Sequence, residues 1–402
     1  MTVDTQFLPA LSTALRCTVE TDFRSLQSLR EEWDATVLAL GSPVCMTLDW
    51  LETWWEHYGN RNRLRIFLFR RGARLVGILP LYLETFGIGP LKAVIARIVG
   101  ANIPPRCFNP PVDPGCVAEI FACVYRQLFV DEGCDLFSFG PVSERWAAST
   151  AFETGGSLPG RTASRTADVQ TVIDISPDFV RTLVEKKSVK RYLREFEKRR
   201  SITTDVVTEP AELEKCFEAF ARQHAEQWRA MGKGGHFVAW PGGLDYHRAL
   251  IGRQARLGRV RFYRILDNGE MIAGVYAFLF GATLSWELSS RALGPEWNKF
   301  HLGKAALVQM FQDAAGAGVS TVDAGLGHYE YKVNNLGGTE VPARMLQIVP
   351  CRWSCRVKSA AFLAVKSLMR ILYHKIWYRR VVPRLPEWVG RSQSRFWLRF
   401  EA

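Results

Sequence analysis

The chain of 402 residues is 48% hydrophobic and 23% charged, the balance of a folded globular protein with length for two full cores. No uninterrupted apolar run reaches the roughly 20 residues a membrane helix needs, and nine scattered cysteines without clustered histidines show no zinc spacing and read as reduced thiols. The formal charge is +12, but twelve of the 52 basic residues and only two of the 40 acidic ones lie beyond residue 350, so the excess belongs to the tail.

Residues 1–20 have an early Asp4, no basic leader and no cleavage site, and are read as an N-terminal segment of a cytoplasmic protein. From there the chain looks duplicated. Arg30-Glu31-Glu32-Trp33 closes a helix, and Ala225-Glu226-Gln227-Trp228 stands in a similar helix about 200 residues later. Gly72 and Gly77 flank a turn and strand before ILPLYL, and Gly269 and Gly274 keep that spacing before VYAFLF. Glu132 to Phe137 ends a helix and begins a strand, as Ala317 to Val322 does. Three landmarks in one order predict two copies of one αβ unit, 21–140 and 170–350. Residues 141–169, rich in Ser, Thr, Gly and Ala with little periodicity, are expected to link them. The run 186–201 puts Val189, Tyr192, Leu193 and Phe196 on one helix face and Lys186, Lys190, Arg194 and Lys198 on another. It is either a solvated face or a guide for phosphates.

Residues 284–340 carry most of the chemistry. The spacing predicts a strand over Leu284–Ser290 bearing Trp286 and Glu287, a helix over 303–315 stopped by Gly316 and Gly318, and a strand over Ser320–Ala324 that delivers Asp323 at its end. A polar loop with Tyr331-Lys332 follows. The helix opens on His301-Leu302-Gly303-Lys304, where a missing side chain lets first-turn N–H groups approach an anion and Lys299 and Lys304 add charge. The plainer alternative is an ordinary helix start with two solvated lysines. A Walker loop is excluded, because Asn298 stands where its first Gly should be and Ala305 where Ser or Thr should be.

The runs RALGPEWNKFHLGKAAL and VDAGLGHYEYKVNNLGG, with HAEQWRAMGKGGHF (224–237), REEWD and LDWLETWWEHYG, resemble the GNAT-type acyltransferases, and specifically the CelD-like branch associated with cellulose and exopolysaccharide synthesis. That resemblance rests on Asp323, Gly327 and Tyr331-Lys332. It implies an α/β fold of two tandem GNAT-like domains, as in Fem-type aminoacyltransferases, with mixed central sheets flanked by helices and a basic helical C-terminal tail.

It further implies an acetyl-CoA or longer acyl-CoA co-substrate and no metal. The pyrophosphate would sit on Lys299, His301, Leu302, Gly303 and Lys304, and the thioester carbonyl would be polarised by backbone N–H groups between Trp286 and Ser289. An acceptor amine or hydroxyl would attack directly. Asp323, Glu287, His224 and Glu226 are the base candidates, Tyr331 or Tyr329 the acid, and Lys332 a neutralising charge, with His328 nearby. Each has a plainer alternative: a loop-capping carboxylate, a buried histidine, a packed aromatic, a surface lysine. In the first copy Ser138 stands where Asp323 would, and no Tyr-Lys pair follows, so catalysis is expected in the second copy. Trp50, Trp54, Trp55 and Tyr58 are then a sugar-stacking surface or core packing.

The tail, 351–402, interleaves Lys and Arg with Phe362, Leu368, Ile371, Ile376 and Trp377, which suits an anionic membrane surface at the inner face. Its alternative is a helical arm packed on the second domain, and nucleic acid is not expected. The leading function is transfer of an acyl group to an amine or hydroxyl of a sugar, polysaccharide precursor or cell-envelope molecule. The rivals are a Fem-like enzyme using aminoacyl-tRNA and a non-catalytic scaffold of polysaccharide synthesis machinery.

Overall fold

A computed structural model describes residues 14–59, 62–100, 105–149, 161–233, 235–239, 242–381 and 384. Twelve strands form one continuous sheet. The first half contributes β1 (Leu15–Glu20), β2 (Arg63–Arg71), β3 (Arg74–Phe86), β4 (Ala93–Ile98) and β5 (Leu136–Ser143); the second contributes β6 (Arg161–Asp174), β7 (Ile202–Val207), β8 (Val260–Asp267), β9 (Glu270–Phe280), β10 (Thr283–Arg291), β11 (Thr321–Leu326) and β12 (Thr339–Val349). Their order across the sheet is β1-β2-β3-β4-β5-β12-β6-β11-β10-β9-β8-β7.

From either edge the pattern is the same: three antiparallel pairings, one parallel pairing, then an antiparallel pairing to the centre. The duplication is therefore real, and it carries an exchange. The strand after β5 in the chain is β6, but β6 pairs with β11; the strand after β11 is β12, and it pairs with β5. The two exchanged strands join along a ladder from Thr339↔Val172 to Val349↔Arg161.

This corrects the expected linker. Residues 161–169 of the 141–169 stretch belong to β6, and β5 runs on to Ser143. Alternating Thr and Ala in Arg161–Asp174 gave little apolar signal because much of that strand is solvent-exposed, and its backbone pairing supplies the order. The N-terminal segment likewise includes β1, which pairs with β2. Of the three landmarks, the hairpin turns at Gly72 and Gly269 match, both with positive φ. The helix-to-strand joints match as well. The REEW landmark does not, because Arg30 opens its helix, whereas Trp228 lies near the end of its own.

Helices cover both faces. α1 (Arg30–Ala39), α2 (Leu48–Trp54) and α3 (Val117–Tyr125) belong to the first half; α4 (Pro177–Glu185), α5 (Lys187–Lys198), α6 (Pro210–Ala230), α7 (Gly243–Arg256) and α8 (Leu302–Gly316) belong to the second, and α9 (Trp353–Leu372) follows β12 and continues in wider helical turns over Tyr373–Val381. Pro177 and Pro210 sit in the first turns of α4 and α6, where their missing N–H costs no hydrogen bond. Ser176 caps α4 by accepting from Phe179 N–H. On one face of the second half, α4, α5 and α8 bury Leu284, Trp286, Val322 and Ala324.

On the other face the core runs through both halves. Trp50 of α2 meets Phe278 of β9 edge-on at 4.7 Å, and Arg259 pairs with Asp34 at 2.6 Å. Trp50 and Trp54 are fully buried, so that aromatic run is packing. Helix α9 docks over β4 and β5 of the first half and the exchanged strand β12: Phe362 joins Ala93, Ile95 and Leu136 with Val349 packed beside them, and Ser359 Oγ donates to Asp135 O at 2.9 Å.

One sheet and one shared core should unfold together. Scanning calorimetry of the full chain is expected to give a single cooperative transition; two resolved transitions, each assignable to one half, would show the exchange to be weaker than drawn.

Candidate active site

The parallel strands β10 and β11 share only three rungs, Thr283↔Thr321, Leu284↔Val322 and Ser285↔Asp323, and then part. Two irregularities drive them apart. A bulge between Trp286 and Leu288 breaks the register of β10 with β9, and a second shift between Asp323 and Leu326 bends β11 along β6. The extra residue in the first bulge is Glu287. Its side chain is only 4% exposed and pairs with Arg106 of the first half, yet the residue as a whole is half-buried, so its accessible atoms are main-chain ones. Arg106 in turn lies 4.5 Å over the Trp50 ring, locked between the halves.

Where the strands part there is a cleft of about 200 Å³, lined in part by Trp286, Ser289, Arg291, Gly303, Lys304 and Tyr331. The start of α8 forms its rim. His301 takes a left-handed conformation (φ 47) to turn the chain into the helix, with no side-chain cap. Leu302 and Gly303 therefore present N–H groups with no intrahelical acceptor. Leu302 itself is core, so its contribution is backbone. A Cβ at Gly303 would lie 3.3 Å from Arg291 Cδ, so the glycine keeps the approach open.

The basic run 186–201 packs beside this helix start. Lys304 Nζ donates to Ser188 Oγ at 3.1 Å, Arg191 lies 3.3 Å from His301 Nε2, and Lys186 Nζ donates to Asn335 O at 3.1 Å. Burial, and then repulsion from Lys186, lowers the Lys304 pKa. None of Lys186, Arg191 and Lys304 has a carboxylate partner among the described residues, so the rim holds uncompensated positive charge beside a bare helix N-terminus. Lys299 stands apart, paired to Glu195 at 3.3 Å and outside the cleft.

Asp323, which is not among the residues lining the cleft, occupies the last rung before the strands separate and accepts from Gly325 N–H at 2.9 Å. Lys332 is no surface lysine. It is buried, donates to Ala324 O at 2.5 Å and lies over the rings of Tyr329 (4.5 Å) and Trp286 (5.4 Å); desolvation lowers its pKa to about 8. The Tyr331 phenol, desolvated in the cleft, is pushed up to about 12, so it holds its proton across the physiological range. His328 bonds Glu340, and the Tyr329 ring lies tilted beside that of Tyr331, with centroids 6.0 Å apart.

His224 is elsewhere. It is buried in α6 with Nε2 3.1 Å from His236 Nδ1, and burial followed by the neighbouring histidines depresses it to about 3, so it stays neutral. Gln227, one helical turn on, is the residue of that motif that lines the cleft, where it accepts from Arg291 N–H at 2.9 Å. Neither Gln227 nor Arg106 stood out in the sequence. A glutamine next to Glu226 and Trp228 carries no chemical flag, and Arg106 acts across 181 positions.

The first half repeats the parting strands with Ser138 in the place of Asp323. Ile95↔Leu136, Ala96↔Phe137 and Arg97↔Ser138 are the only parallel rungs of β4 and β5, and Ser138 stands on the last rung, as Asp323 does in its copy. Helix α9 packs on these strands, with Phe362 5.5 Å from the Arg97 guanidinium.

Residues 185–333 match a protein-family model described as an acetyltransferase (GNAT) domain. A crystal structure of FemX superposes with a TM-score of 0.58 at 12% identity, covering 79% of this chain and 95% of that one. A conserved protein of unknown function from Bacteroides thetaiotaomicron VPI-5482 superposes with a TM-score of 0.52 at 10% identity, over 83% and 100% of the two chains. At such identities the likeness is one of fold. No curated protein matches the chain.

Two outcomes test this geometry. Replacing Arg106 with Met strands the Glu287 carboxylate in the core and should cost about 3–5 kcal/mol of stability, most of it regained when Glu287→Leu is added; denaturant titration of the three variants decides it. Lys332 is held less protonated folded than unfolded, so between pH 8 and its ordinary value of 10.5 the unfolded chain binds the extra proton and stability from this group rises with pH. Lys332→Met should therefore compare more favourably with wild type at pH 7 than at pH 10. A difference independent of pH would place the amine in water.

Proposed function

With residues 185–333 forming a GNAT-type acyltransferase domain, we propose that the chain moves an acetyl or longer acyl group from acyl-CoA to an amine or hydroxyl, and that the acceptor is a sugar, a polysaccharide precursor or a related cell-envelope molecule. One observation carries the donor reading: the bulged strand β10 and the bare start of α8 with Lys304 line a single cleft, and Arg191 and Lys186 lie beside that helix start, on His301 and Asn335. The acceptor class is supported by the sequence resemblance to the CelD-like branch.

In this reading the pyrophosphate rests on the N–H groups of Leu302 and Gly303, with Lys304, Lys186 and Arg191 matching its charge. The pantetheine arm enters between β10 and β11, where each strand lacks the other as a partner. The thioester carbonyl meets main-chain N–H groups at the Trp286–Leu288 bulge, aimed where negative charge grows as the acceptor attacks. Asp323 takes the acceptor's proton. Its support is its position on the last shared rung, on the strand facing the bulge, whereas Glu287 is held by Arg106 and His224 is sequestered. The tetrahedral intermediate collapses with cleavage of the C–S bond, and the thiolate takes a proton from Tyr331, the phenol that lines the cleft. Lys332 orders the loop that carries Tyr331 by tying it to Ala324.

Calorimetric titration with acetyl-CoA and longer acyl-CoAs tests the donor. Wild type should bind, and Gly303→Glu, which sets a carboxylate at the helix start, should weaken binding by at least about tenfold. Asp323→Asn should leave that binding intact while lowering turnover by about 10²-fold or more. Absence of binding to any CoA would refute the donor reading and favour an aminoacyl-tRNA, whose binding would fall steeply with salt.

A further inference from the structure

Helix α9 has two apolar faces, and only one is used. Cys355, Ser359, Phe362 and Lys366 follow one another at helical spacing and are buried against the first half. On the opposite side Trp353, Val357, Leu368 and Ile371 fall on a single stripe, with Trp353 77% exposed, Leu368 56% and Ile371 51%. Between them the stripe carries only Ala360 and Ala364, both exposed. The helix is thus fixed to the protein by one side and shows a flat apolar band to solvent on the other.

What flanks the band tells what covers it. Arg352, Arg356 and Arg370 line one border, all exposed, and none of them has a carboxylate partner among the described residues. From 351 to 381 the sequence holds eight Lys and Arg and no Asp or Glu. A protein partner seated on an apolar stripe would not require the exposed charges that border it to be all of one sign. An anionic bilayer does, because its headgroups meet the arginines while the apolar band sinks into the acyl boundary with an indole at its end. No helix among the described residues is long and apolar enough to cross a membrane, so the contact lies in the plane of the surface.

We infer that the outward face of α9, centred on Trp353, Val357, Leu368 and Ile371 and bordered by Arg352, Arg356 and Arg370, docks the protein onto anionic lipid. The inference is independent of the donor reading, since no residue of α9 lines the cleft. Docking by this face lays the first half against the bilayer and leaves the second half's active site to the side of the contact.

The test is co-sedimentation of the full chain with phosphatidylcholine vesicles with and without phosphatidylglycerol. Binding is expected only with phosphatidylglycerol and should fall with added salt. Trp353→Ser with Leu368→Ser and Ile371→Ser should lower it at least about tenfold, and Arg352→Gln with Arg356→Gln and Arg370→Gln by roughly fivefold per charge removed. Both variants keep Phe362 and the inner face, so unchanged circular dichroism and CoA binding would confirm that the fold is intact. No binding to anionic vesicles would overturn the inference, as would binding that the serine variant does not alter. So would a dimer in light scattering that the serine variant abolishes, since the band's occupant would then be a second copy of the chain.

Discussion

Everything in this molecule hangs on the ladder between β6 and β12, the two strands that each half gives to the other. A strand at a sheet edge carries a row of unsatisfied N–H and C=O groups. Here the inner edges of both halves are closed by a strand from the opposite half, and the two closing strands then pair with one another. The halves cannot drift, because moving one would break backbone hydrogen bonds and not only side-chain contacts. The large apolar core that runs through both halves on one face follows from that rigid seam.

The rigidity matters at Glu287. A bulge in a strand is a local defect that the rest of the sheet tends to repair by slipping register. Here the surplus residue is pinned from behind by Arg106, itself clamped on Trp50. The first half carries Ser138 where the second carries Asp323, and it is the backing against which the second half's irregular strand is held open. That is a structural role for the first half that needs no chemistry of its own.

Much of the site was readable from sequence because its parts are local. The apolar spacing of Leu307, Phe311 and Ala314, the glycine at 303 and the strand before Asp323 are set within a few residues of one another, and the structure brings Trp286, Gly303, Lys304 and Tyr331 to one cleft. What was hidden is what depends on distant pairing. Residues 161–169 of the strand Arg161–Asp174 passed for a linker because its order comes from β11 and β12 and not from its own hydrophobicity. His224 stayed a base candidate for its motif, with a buried histidine as the plainer alternative, and the packing of His236 and Phe237 around it shows that it is sequestered. Lys332 read as a neutralising charge or, more plainly, a surface lysine, since nothing in YKVNN announces that a short helical turn folds its amine back under two aromatic rings.

The exchanged strand also sets a timetable for synthesis. The inner edge of β5 is complete once Ser143 has been made, but its partner β12 ends at Val349, about 200 residues later. At roughly 5–20 residues per second the ribosome leaves that edge open for on the order of 10–40 s. During that interval the nascent first half has a full complement of helices and an unfinished sheet, with Phe137 and Phe139 on the uncovered strand. A chain built this way must fold backwards in part, its N-terminal half waiting on its C-terminal one, so growth temperature and translation speed bear on its yield as directly as the stability of the finished protein does.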